Sequence, residues 1–169
     1  AWIAHYLLTT HCFAVGEPLV PLERILRDSI HQMRNYNQET WAELALLNHE
    51  AALILMGRED DPVVVNGALM NLDKGSKKLK EVQNVSNMNF DLYFCEAWNQ
   101  SLMVWYHLGN LDVALTMARR SENTIDVVPA AQLAPFQAFY DGLTALAILR
   151  ENQNISFSGR RKLISRGRR

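Results

Sequence analysis

One stretch constrains the architecture of this chain more than any other. Trp98, Trp105, Gly109, Ala114 and Ala118 follow one another at spacings of seven, four, five and four. A seven-residue step keeps two side chains on one side of a helix, and a glycine four residues later ends that helix. Asn110 and Asp112 then supply a cap and a first-turn acid for a second helix. Small Ala114 and Ala118 let the two helices approach closely. The stretch therefore predicts a helix over 90–108, a tight turn at Gly109 and a second helix from Leu111. Such a pair cannot bury its apolar face alone and needs neighbours.

The rest of the chain has the same period. Residues 1–15 read as a helix stopped by Gly16, and Pro18 and Pro21 mark a connection and a first-turn proline. Leu22, Ile25, Leu26, Ile30 and Met33 form one helical face, broken at Tyr36-Asn37-Gln38. Trp41 to Leu55 forms the next helix, ending at Gly57. Leu46, Leu47, Leu53 and Ile54 give it a second apolar face, as expected of a helix packed between neighbours. After the polar turn at Arg58–Pro62, a short helix is expected near Pro62 and a charged one over 74–85. Phe136, Phe139, Tyr140, Leu143, Leu146 and Ala147 define another long helix. Residues 152–158 read as a loop, and 159–169 as the start of a further, basic helix. No convincing period-two strand occurs. The expected fold is all-α, an α-solenoid of stacked antiparallel helical pairs. Residues 1–157 would form the helical-repeat domain and 158–169 a basic tail or further helix.

The Trp98–Ala118 spacing resembles a tetratricopeptide-type repeat. It departs from that pattern at Ser101 and Leu102, where Leu and Gly are usual, and at Ser121, where Ala is. Three further segments resemble the helical-repeat region of very large signalling proteins. They are Gly16-Glu17-Pro18-Leu19, Asp61-Pro62-Val63-Val64-Val65-Asn66-Gly67, and Phe139-Tyr140-Asp141-Gly142-Leu143-Thr144-Ala145-Leu146-Ala147. The last is similar to the "FYDSLALLA" helix of that region, with Gly142 in place of Ser. The resemblance implies a scaffold or regulatory segment between a P-loop ATPase and an output domain such as a histidine or serine/threonine kinase. Those domains would lie outside this chain.

Composition narrows the function further. The chain has 169 residues, 49% hydrophobic and 21% charged, with a net charge of −1. That suits a folded domain and argues against disorder or strong non-specific binding of nucleic acid. Cys12 and Cys95 are expected as reduced thiols. Asn84, Asn99 and Asn154 open N-x-S triplets, with Asn99 in mid-helix. No apolar run is long enough to span a membrane and no signal peptide is visible, so a cytoplasmic module is expected. The chain opens on Ala1 inside a helical pattern and stops in a basic run, which reads as a piece of a longer polypeptide.

Catalytic and ligand motifs are weak. His5, His11, His31, His49 and His107 lack metal-ligand spacing. Gly75-Ser76-Lys77-Lys78 lacks the spacing of a phosphate loop. Glu43 and Glu50 read as a solvated stripe, and Glu59, Asp60 and Asp61 as a polar turn. The expected protein is therefore not an enzyme. It would take no cofactor, metal or small-molecule substrate, and would bind a protein partner or neighbouring domains of its own polypeptide. Glu96, Asn99, Met103, Tyr106 and His107 would present the partner face. The basic residues Arg160, Arg161, Lys162, Arg166, Arg168 and Arg169 leave eleven basic against eighteen acidic residues in 1–157, a net of −7. Two alternatives follow: a stand-alone adaptor whose tail binds an anionic partner (nucleic acid or membrane), or a structural fragment of a larger enzyme. Nucleic acid and membrane are not the expected partners.

Overall fold

The computed structural model describes residues 2–58, 60, 61, 64, 67, 69, 90–122, 133–151 and 156–167. These residues form seven helices and no strand: α1 Trp2–Ala14, α2 Leu19–Asn35, α3 Glu39–Leu55, α4 Phe90–His107, α5 Leu111–Arg120, α6 Leu133–Glu151 and α7 Phe157–Arg166. The chain is all-α over this extent. The helix expected over 74–85 and most of the one expected near Pro62 lie outside the described residues.

One device ends four of the described helices. At the end of α4, Asn110 N–H donates to Trp105 C=O at 3.0 Å and Gly109 N–H to Tyr106 C=O at 3.1 Å. This crossed pair satisfies carbonyls that a helix end leaves without partners, and it needs a residue at positive φ. Gly109 supplies it at +77°. The same crossed pair closes α1 at Gly16, α2 at Asn37 and α3 at Gly57. Asn37, at φ +55°, is the non-glycine example, in the part of backbone space that asparagine tolerates best. Asn110 also starts α5, where its side-chain oxygen accepts the Val113 N–H at 3.3 Å. The start of α7 is set by Ser156, whose hydroxyl accepts the Gly159 N–H. That places the helix two residues earlier than its basic run suggested.

Packing follows chain order. α3 touches α1, α2 and α4; α4 touches α5 and α6; α5 touches α6; and α6 carries α7. The larger core lies between α1, α2, α3 and the near face of α4, centred on Leu26, Met33, Leu44, Leu47, Leu53 and Val104. Ala42, Ala45, Ala51 and Ala52 of α3 are fully buried, and their small side chains let neighbours close in on it. The second core is the Trp-rich stretch singled out above. Leu102, Ala114, Met117 and Ala118 are its buried centre, with Trp98, Trp105, Tyr106, Val113 and Tyr140 packed around them. Two of the three positions that depart from the repeat pattern, Leu102 and Ser121, have a physical reading here. Leu102 fills the centre of this core. Ser121 is fully buried, and its hydroxyl donates to the Ala118 carbonyl at 3.3 Å, so a small polar residue stands where Ala is usual.

Candidate functional site

The face expected to meet a partner divides in two. Glu96 and Asn99 are fully buried and Met103 nearly so, whereas Tyr106 is half-buried and His107 exposed. Glu96, Asn99 and Met103 therefore belong to the interior of this chain and present no open surface. The reason is that α4 is covered by α3 on one side and by α5 and α6 on others. Burial of Asn99 also removes its N-x-S triplet as an acceptor for a glycan in the folded chain; Asn84 and Asn154 lie outside the described residues.

What Glu96 joins is a buried polar seam between α1, α3 and α4. The Gln100 amide donates to Asn48 Oδ1 at 2.6 Å and lies 3.2 Å from Glu96 Oε1. The Asn48 amide donates to Thr10 Oγ1 at 3.1 Å, and the Thr10 hydroxyl donates to the Tyr6 carbonyl at 2.9 Å. Among the described residues, Glu96 Oε2 has no hydrogen-bond partner. Burial lifts the Glu96 carboxyl to about 7, against the opposing pull of bonds from Gln100 and Tyr6. The Tyr6 hydroxyl beside it is pushed well up, first by burial and then by the Glu96 charge. A carboxyl near neutrality can exchange a proton at physiological pH, and such shifts are common in active sites. A cavity of about 10 Å³ lies next to its partner Gln100, lined by Thr10, Phe13, Ala14, Gln100, Leu133 and Phe136. That is roughly the room of one water.

The other carboxylates of the central helix are also internal. Glu43 and Glu50, read from sequence as a solvated stripe, are both buried. Glu43 accepts from the Arg34 guanidinium at 3.1 Å, and Glu50 accepts the Leu69 N–H at 2.8 Å. Their burial follows from the position of α3, which has helices on three sides. Gly67 sits so close to the Glu50 carboxylate that a Cβ there would overlap it. Burial, and then the charges of Glu43 and Glu50, raise the Tyr93 hydroxyl. His49 and Glu23 form a further buried pair at 3.1 Å. Among the described residues no three His, Cys, Asp or Glu side chains gather into a metal-holding group.

Tyr106 and His107 meet α6. His107 Nε2 lies 3.2 Å from the Tyr140 hydroxyl, and the rings of Tyr106, His107 and Phe136 all contact Tyr140 at centroid distances of 4.8–5.8 Å. Phe139, next to Tyr140, stands exposed. The Tyr140 hydroxyl is raised by burial and by Tyr106.

The basic run is a packed helix. Arg160, Arg161 and Lys162 are exposed on α7, and Arg168 and Arg169 lie outside the described residues. Arg166 is held by Asp141 of α6, its Nε donating to both carboxylate oxygens at 2.5 and 2.7 Å, and it also donates to the Ala118 carbonyl of α5 at 3.2 Å. Arg166 is thus an internal anchor. A cleft of about 320 Å³ opens between α5 and α7, lined by Leu115, Arg119, Gly159, Lys162, Leu163 and Arg166. Arg119 is the contributor that sequence reasoning missed; its signal was the paired Arg119-Arg120 in the last turn of α5. A second cleft of about 460 Å³ lies by the α4–α5 turn, where Asp112 and Glu151 are its charged residues. No helix among the described residues is long and apolar enough to cross a membrane.

No protein-family model, no curated protein and no solved structure matches the chain.

Proposed function

We propose that this chain is a non-catalytic interaction and scaffold module, an α-solenoid of stacked antiparallel helical pairs within a multidomain signalling protein. The supporting observation is the range of its contacts. Every substantial helix–helix contact joins helices no more than two places apart in the order of the described helices. Near-neighbour packing of this kind is the mark of a quasi-one-dimensional array, and such arrays work through their surfaces. The short crossed caps at Gly16, Asn37 and Gly109 agree with helices that reverse direction at each turn. Placement between an ATPase and a kinase output rests on the resemblance of the 139–147 helix and its two companion segments.

A catalytic reading would draw on the Glu96 seam, whose shifted carboxyl is the sort of group an enzyme uses. Its complete burial weighs against it, because a substrate must reach the carboxyl, and the cavity beside its partner Gln100 holds about 10 Å³ where a substrate pocket takes roughly 300 Å³ or more. The test is the coding frame on either side of this chain. The proposal expects a P-loop ATPase upstream and a kinase or similar output domain downstream. A frame confined to these residues would overturn the signalling-scaffold reading.

A further inference from the structure

We infer that the cleft between α5 and α7 is a docking site for an acidic peptide segment of a protein partner. The inference deepens the interaction-module reading and rests on it. Among the described residues, three cations line the cleft and no carboxylate does. Arg166 is neutralised by Asp141, so the available charge is that of Arg119 and Lys162, both exposed and neither in an ion pair with a described residue. They come from different helices and flank half-buried Leu115 and Leu163. Two cations beside an apolar floor fit carboxylates flanking an apolar side chain. The guanidinium of Arg119 suits a carboxylate in two-point contact, and the Lys162 ammonium a point charge.

Size and surrounding charge select a peptide over an extended polyanion. At about 320 Å³ the cleft is at the small end of ligand pockets and holds a few side chains. Residues 1–157 carry a net charge of −7, which repels a nucleic-acid strand or an anionic bilayer reaching past the basic rim. A short acidic segment can use the cleft without meeting that charge. The Arg166 anchor gives the site a fixed frame by tying α7 to α6 and α5 across the cleft floor.

The experiment is a fluorescence-anisotropy titration of the full chain with a labelled peptide of glutamates around leucines. Comparison probes are the same peptide with lysine for glutamate and a short thymidine oligonucleotide. The expected result is saturable, salt-weakened binding of the acidic peptide alone. Arg119→Glu or Lys162→Glu should each weaken it about fivefold, and the double reversal more than about tenfold. Arg24→Glu, the same charge change on an exposed position of α2, should leave it unchanged. All three positions are exposed, and far-ultraviolet circular dichroism checks that each variant is folded. Absence of binding, binding that Arg24→Glu weakens equally, or an oligonucleotide bound as well through Arg119 and Lys162 would each overturn the inference. Such a failure leaves the coding-frame test of the module untouched, so the two ideas fall separately.

Discussion

Replacing Glu96 by Gln should reverse the usual cost of altering a buried residue, and should do so only above neutral pH. Glu96 is fully buried, one of its oxygens has no partner among the described residues, and burial moves its carboxyl from an ordinary 4.5 to about 7. Because the folded chain holds this proton more tightly than the unfolded chain, the group's contribution to stability is full below about pH 4.5. It is lost as pH rises through about 7. The shift corresponds to about 3 kcal/mol over that window, of which about 2–3 kcal/mol falls between pH 5 and pH 8. Glutamine keeps the shape of the neutral acid and still accepts from the Gln100 amide, and it carries no titrating proton. Urea unfolding, followed by tryptophan fluorescence and by far-ultraviolet circular dichroism at several pH values, gives the comparison. Relative to the parent chain, Glu96→Gln should gain about 2–3 kcal/mol on going from pH 5 to pH 8. Subtraction cancels every other titrating group. A difference between the two chains that stays constant with pH would refute the reasoning.

Other consequences follow from single contacts. Gly67→Ala should lower stability by about 1–3 kcal/mol in thermal melts, because the new methyl displaces a Glu50 carboxylate already committed to the Leu69 N–H. Asp141→Asn removes the charge that holds Arg166; amide exchange across α7 should quicken, at a local cost of about 2 kcal/mol, while α3 is unaffected. Leu102→Ala should cost about 2–5 kcal/mol in urea unfolding, since Leu102 is the fully buried centre of the second core.

The helices were legible because their signals are local. Gly16, Gly57 and Gly109 each sit at positive φ one turn past an apolar face, and Asn37 marks the fourth stop within the Tyr36-Asn37-Gln38 break. The Trp98, Trp105, Ala114, Ala118 spacing likewise became a packed cluster. What the sequence concealed is which polar residues face inward. Glu43, Glu50, Glu96 and Asn99 sit on helices whose period was read correctly, yet period gives a residue's angle around its helix and says nothing of how many neighbours that helix has. The second apolar face of α3, from Leu46 to Ile54, was the available clue: a helix enclosed on several sides buries its carboxylates along with its leucines. The Arg166 anchor was hidden for a related reason. A basic run reads as a solvated tail until a buried acid such as Asp141 is found opposite it.

The central proposal is that these helices serve as an interaction surface for a segment of a protein partner. Amide hydrogen exchange would compare this chain alone with the chain saturated by the glutamate–leucine peptide. The account predicts added protection on α5 and α7, around Arg119 and Lys162, with α3 unchanged because its faces are already filled. Identical exchange in the two settings would contradict it.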